Sequence, residues 1–124
     1  MRILILEDEE IIKTYFEVLA RPIEGVTAVA TTKSGEHALE LAASFKPNLA
    51  ILDFELRGQK LNGLQIGAEI KKLDKNIFFV LISGYPHEYF SAQATKPDAF
   101  ILKPVGKTEF QSLVASFAAK VNPV

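Results

Sequence analysis

Residues 1–10 read MRILILEDEE, and the fold turns on how this stretch is read. Residues 2–6 (RILIL) form a short, nearly continuous apolar run, as expected of a strand covered on both faces. Four acids follow at once: Glu7, Asp8, Glu9 and Glu10. Two like charges ~4 Å apart at an effective dielectric near ~20 repel by roughly 4 kcal/mol. Either these acids point into water, or something positive sits among them.

The motif of an apolar strand ending in polar residues recurs along the chain. Residues 26–30 (VTAVA), 48–52 (NLAIL), 77–82 (IFFVLI) and 98–102 (DAFIL) read as further strands. Helical patterns lie between them. Residues 9–20 place Ile11, Ile12, Tyr15, Phe16 and Leu19 at helical spacing. Ser34 is placed to cap a helix over 35–44, with Ala38, Leu41, Ala42 and Phe45 inward and Pro47 as its stop. Residues 63–73 put Leu64, Ile66, Gly67, Ile70 and Leu73 on one side, and 106–120 do the same with Phe110, Leu113, Val114, Phe117 and Ala118. A short helix is expected over 86–94. Strands alternating with helices imply a parallel sheet with right-handed crossovers, an α/β architecture. In such sheets ligands bind beyond the carboxyl ends of the strands.

Those ends carry a consistent chemistry. Glu7 and Asp8 follow the first strand, Asp53 ends the third, Ser83 the fourth and Lys103 the fifth. Any one of them alone is most simply a helix cap or a solvated turn residue. Glu9 and Glu10 fit that plain reading, as first-turn acids favoured by the helix dipole. The fold, however, brings all five of the others to one edge of the sheet. Clustered carboxylates suit a hard dication such as Mg2+. A carboxylate can also act as a nucleophile and form an acyl phosphate, and a lysine ammonium can neutralise phosphoryl oxygens.

Composition removes other classes. The 124 residues suggest one domain, 1–124, large enough to fold on its own core. There is no cysteine, so disulfides and thiolate metal sites are excluded, and two histidines argue against a histidine-rich zinc site. Net charge is −1 and no basic stripe is visible, so no direct contact with nucleic acid is expected. No apolar run reaches the ~18 residues that span a bilayer, and the N-terminus does not read as a signal peptide. A cytoplasmic chain with no membrane association is expected.

The stretches ILILEDEE, LAILDFEL, VLISGYP and FILKPV, at these spacings, resemble the receiver domain of two-component response regulators over residues 2–121. The resemblance implies a flavodoxin-like doubly wound (βα)5 fold, five helices on the two faces of a sheet of strand order 2-1-3-4-5. It implies that Asp53 accepts a phosphoryl group from a histidine kinase or a histidine phosphotransfer protein. Mg2+ would be ligated by Asp8, Asp53 and the backbone carbonyl of Glu55, with Glu7 reaching it through water. Lys103 would pair with the phosphoryl group, and Ser83 would bond it and move with the aromatic switch residue, Phe100. The bond before Pro104 would be cis and would aim Lys103 into the site. Such a chain is not an enzyme towards outside substrates; it catalyses only its own phosphorylation and dephosphorylation. A downstream protein would bind the face made by the fourth helix (86–94), the fifth strand and the fifth helix. The chain would be a monomer or a phosphorylation-dependent dimer.

This sequence departs from the family pattern in four places. Glu7 stands where the family usually has Asp. Arg57 takes a proline position, and Gly63 falls later than usual, so RGQKLNG is a lengthened loop without proline. The switch residue is Phe100 rather than the frequent Tyr. Glu55 and Tyr85 occupy positions that tune phosphoryl lifetime. Two other readings compete: a Toprim-like metal-dependent nucleic-acid domain using Glu7, Asp53 and Glu55, and a receiver-like docking module that signals without phosphorylation. The chain ends after its last helix, as a stand-alone receiver or a piece of a longer regulator would.

Overall fold

The computed structural model describes residues 1–122. Strands β1 (Arg2–Leu6), β2 (Ala28–Thr32), β3 (Leu49–Asp53), β4 (Phe78–Ser83) and β5 (Ala99–Leu102) form one parallel sheet in the order β2-β1-β3-β4-β5. Helices α1 (Glu10–Ala20), α2 (Gly35–Ser44), α3 (Gly63–Leu73) and α4 (Lys107–Val121) cover its two faces. This is the flavodoxin-like, doubly wound topology expected from the sequence. No helix among the described residues is long and apolar enough to cross a membrane.

The two-residue period of a strand divides the core into two layers. Ile3, Ile5, Leu49, Ile51, Val80, Ile82 and Ile101 face α1 and α4, where Phe16, Leu19, Phe110, Val114 and Phe117 are buried. Leu4, Leu6, Ala50, Leu52, Phe79 and Leu81 face α2 and α3, where Ala38, Ala42, Leu64, Ile66 and Ile70 are buried. Each large side chain buried this way stabilises the fold by about 1.5–3 kcal/mol relative to leaving it in water. Gly67 of α3 sits against the Phe79 ring; a Cβ there would come within 2.5 Å of it. A glycine is what lets α3 approach the sheet so closely.

Three sequence expectations change. The second strand begins at Ala28 and runs through Thr32, two residues later than the apolar run suggested. Val26 and Thr27 are used in a turn and in a bond to Met1 O, and register with β1 carries the strand through the two threonines. As an edge strand it is only half-buried, so polar side chains are tolerated. Secondly, α1 buries Phe16 and Leu19 but leaves Ile11 82% and Tyr15 38% exposed.

The third correction concerns the expected helix over 86–94, which leaves four α-helices among the described residues instead of five. It is a single 3-10 turn, His87–Phe90. Pro86 opens it and buried Phe90 anchors it. The chain then continues with i to i+3 bonds, Ser91 N to Glu88 O and Gln93 N to Phe90 O. Pro97 disfavours the helical conformation at Lys96. The Lys96 ammonium donates to Ser91 O and Phe90 O, occupying carbonyls that a continuing helix would have used.

Candidate functional site

Among the described residues, Glu7, Asp53 and Ser83 are the only buried polar side chains at the carboxyl edge apart from Thr32 of β2. Glu7 extends β1 by one peptide, its N–H donating to Thr32 O at 3.1 Å. Its Oε1 accepts from Glu9 N at 3.2 Å, while Oε2 is buried without a hydrogen bond. Glu9 then serves as the N-cap residue of α1, exposed, and Glu10 pairs in solvent with Lys13 and Lys33, each at 3.4 Å. The four acids therefore divide: two at the helix start face water, and Glu7 and Asp8 turn toward the sheet edge.

Asp53 ends β3, the most completely buried strand, and is itself 2% exposed. One carboxylate oxygen from each of Glu7, Asp8 and Asp53 lies within 4.8 Å of the others. Asp53 Oδ1 is 2.9 Å from Lys103 Nζ, a charge contact that falls outside hydrogen-bond geometry, so this oxygen has no directed bond. Burial, with the Asp53 charge beside it, pushes the Glu7 carboxyl up to about 8 from its ordinary 4.5. Asp53 is also raised, chiefly by burial, although Lys103 pulls the other way. Burial draws the Lys103 ammonium down, but the contact with Asp53 and the charges of Asp53, Glu7 and Glu55 outweigh it and leave Lys103 above its usual range. Crowding and burial thus favour the protonated form of Glu7 over its charged form.

Two under-bonded buried carboxylate oxygens and a third carboxylate within reach fit a small hard cation that keeps some of its waters. The Lys103 ammonium lies at one side of this set, on Asp53 Oδ1. The Lys103–Pro104 bond is cis.

Neighbouring segments fix the pocket's walls. Gly63, the first residue of α3, packs on the end of β3: a Cβ there would lie 2.0 Å from Asp53 O. Asn62 and Gln65 cap this helix reciprocally, Gln65 N to Asn62 Oδ1 at 2.9 Å and Asn62 N to Gln65 Oε1 at 2.8 Å. Arg57 N donates to Asp8 Oδ2 at 3.1 Å from the loop between β3 and α3. Ser83 Oγ accepts from Tyr85 N at 2.8 Å, which leaves its own proton for another acceptor. Glu55 is exposed beside the pocket. Phe100 is half-buried and stacks on Phe90 with centroids 5.7 Å apart.

Sequence reading missed Phe54 and the Arg57 amide. Phe54 directly follows Asp53 and meets Tyr85, Tyr89 and Phe90 edge-on, while Tyr85 and Tyr89 stack at 4.4 Å. An aromatic wall therefore rises beside the carboxylates. The clustering of Tyr85, Tyr89 and Phe90 was visible in the sequence, but its centre on Phe54 was not. The Arg57 contact is made by a backbone amide, which leaves no signal in residue type.

A five-stranded parallel sheet with an acid cluster, a lysine and a hydroxyl gathered at its carboxyl edge places the chain among doubly wound α/β domains with a polar site at the strand ends. The chain belongs to the response regulator receiver domain family, whose model matches residues 3–115. The nitrate/nitrite response regulator protein NarL of Escherichia coli (strain K12) is 28% identical over 103 residues, 82% of this chain and 47% of that protein. The response regulator GacA of Pseudomonas aeruginosa is 23% identical over 97% of this chain and 56% of its own length. The chain spans about half the length of these curated relatives. Among solved structures, the response regulator protein TrrA from Thermotoga maritima in complex with Mg(2+)-BeF superposes with a TM-score of 0.80 at 28% identity, covering 94% of this chain and 97% of that one. NtrX from Brucella abortus, in complex with ADP, gives 0.81 at 30% identity over 97% of this chain and 27% of that chain. Membership in this family sets aside the Toprim-like reading.

Proposed function

We propose that this domain accepts a phosphoryl group on Asp53 from the phosphohistidine of a histidine kinase or phosphotransfer protein. A carboxylate oxygen of Asp53 attacks phosphorus, the bond from phosphorus to the donor imidazole nitrogen breaks, and an acyl phosphate remains on Asp53. The carrying observation is Asp53 itself: a buried carboxylate with an oxygen lacking any directed bond, 2.9 Å from a lysine ammonium. Glu7, Asp8, Asp53 and the Glu55 carbonyl would hold Mg2+, with Glu7 reaching it through water. When bound, the ion supplies positive charge against the phosphoryl oxygens. Lys103 then transfers its pairing from Asp53 to the phosphoryl group, and Ser83 donates its free proton to it. Movement of Ser83 and Phe100 carries the change to the surface around β5, where a downstream protein or a second copy of the domain binds. The domain acts only on itself, with no outside substrate to turn over.

The donor's approach has a candidate surface. Ile11, Tyr15 and Val18 lie at helical spacing on α1 and are 82%, 38% and 62% exposed. Beside them Ile12, Tyr15, Phe16, Pro104 and Val105 line an apolar cleft that also includes Lys103. Exposed apolar side chains grouped next to a site mark a binding surface.

The metal half of this reading is tested by thermal melting with and without millimolar Mg2+. Mg2+ should raise Tm, because only the folded chain assembles the three carboxylates. Asp8→Ala should remove that dependence. A melting curve and a phosphorylation rate both indifferent to Mg2+ would show that the cluster of Glu7, Asp8 and Asp53 is not a metal site.

A further inference from the structure

The lengthened loop 54–62 is held by contacts that its composition does not announce. Gly63 N closes its base by donating to Phe54 O at 3.0 Å, and Leu56 is buried within it. Leu56 to Gln59 form a tight turn, with Gln59 N donating to Leu56 O at 3.2 Å and Gly58 at φ +71°. A positive φ at the third position of such a turn is where glycine is required. One flank of the turn meets the acid pocket, through Arg57 N on Asp8 Oδ2.

The other flank grips α2. Gln59 Oε1 accepts from Gly35 N at 2.7 Å, and Gln59 Nε2 donates to Lys33 O at 2.9 Å. Gly35 N is one of the first amides of α2, which have no partner inside the helix. The helix's own cap, Ser34, reaches only His37 N. A single amide side chain therefore satisfies a donor and an acceptor on the far side of a gap. It does so from a turn whose closure leaves little freedom between Gln59 and Arg57.

We propose that Gln59 is a positioning residue of the acid pocket. By clamping the 56–59 turn to the start of α2, it holds the Arg57 amide on Asp8 and fixes the loop that carries the Glu55 carbonyl. The inference rests on the metal-binding reading for its consequence, but the clamp itself is a feature of the metal-free protein. An amide that bonds a ligand carboxylate orients it before the ion arrives, and losing such an outer partner weakens metal binding.

Two variants separate positioning from plain stability. Gln59→Ala removes the clamp, whereas Ser34→Ala removes the ordinary cap of the same helix without touching the loop. The readouts are the exchange rate of the Arg57 amide by NMR in metal-free protein, and the Mg2+ dissociation constant from titration of amide shifts. Gln59→Ala should speed Arg57 exchange and weaken Mg2+ binding about tenfold. Ser34→Ala should lower Tm and move neither. An unchanged Arg57 exchange rate in Gln59→Ala overturns the proposal, as does an equal response of both readouts in the two variants. If the parent protein binds no Mg2+, the metal reading falls, and the Arg57 exchange rate still decides whether Gln59 holds the loop.

Discussion

Two aspartate–lysine pairs sit at opposite ends of the same sheet. At the carboxyl end Asp53 meets Lys103 at 2.9 Å; at the amino end Asp98 meets Lys71 at 3.0 Å. Their distances are nearly equal and their surroundings are not. Asp98 is 30% exposed, and its Oδ2 also accepts from Phe79 N at 2.8 Å, tying β4 to the approach of β5. Lys71, in the last turn of α3, lies over the Phe78 and Phe79 rings at about 6 Å. That pair is satisfied and structural. Asp53 is 2% exposed, has one oxygen without a directed bond, and shares its pocket with Glu7 and Asp8. A carboxylate kept buried, crowded and under-bonded represents a cost to folding, and the phosphoryl and metal chemistry proposed here accounts for keeping it.

The sharpest way to break this comparison is to delete each lysine. Lys103→Ala should leave Mg2+ binding in place but abolish most of the response to beryllofluoride, read as hydrogen exchange across residues 83–105. Without the ammonium nothing draws the end of β5 toward the phosphoryl group. Lys71→Ala should leave that response intact and cost stability about 1 kcal/mol or less, as half-exposed ion pairs do. If the two variants respond alike, the two pairs do not differ in kind.

A second contrast is in pH. The folded state holds a proton on Glu7 up to about pH 8, where an unfolded chain loses it near 4.5. Between these values the native state binds more protons than the unfolded state, so metal-free stability should fall as pH rises through that window. The raised Asp53 adds to the trend with the same sign. Glu7→Gln should flatten the profile, and stabilisation by Mg2+ should grow over the same range, because the ion competes with the proton. Denaturant melts at a series of pH values check this; a parent profile that is flat or rising from pH 5 to 8 would contradict it.

The smallest expected effect concerns the lifetime of the acyl phosphate. Tyr85 stacks on Tyr89 and forms part of the aromatic wall beside Asp53, so it can shield phosphorus from water. Glu55 is exposed nearby and could orient a water as a base, an effect that needs good geometry. Tyr85→Ala should speed dephosphorylation and Glu55→Gln should change it less. Slower decay in Tyr85→Ala than in the parent would reverse the shielding argument.

The comparison also explains what the sequence made legible. Strands β1, β3 and β4 are apolar on both faces, so their runs stand out, and the residues at their ends were readable from fold logic alone. Asp53 and Ser83 were placed at the sheet edge this way, while Lys103 follows β5, a shorter and only half-buried strand. Asp98 was read only as the start of a strand, because its partner, the Phe79 amide, belongs to the backbone. Arg57 escaped for the same reason. The segment after Pro86 was expected to be a short helix from its composition, yet a tertiary contact, Lys96 on the carbonyls of Phe90 and Ser91, gives it another end. Likewise Ile11 and Tyr15 fit a helical period, but the period does not say which of two adjacent apolar stripes the sheet covers.

The central claim is that Asp53 is the nucleophile and Asp98 is not. Incubation with acetyl phosphate and Mg2+, followed by mass spectrometry of proteolytic peptides, tests it directly. The account predicts one added phosphoryl group on the peptide containing Asp53, absent without Mg2+, absent in Asp53→Asn and retained in Asp98→Asn. Label that persists in Asp53→Asn, with Asp8 as the next candidate, would contradict it.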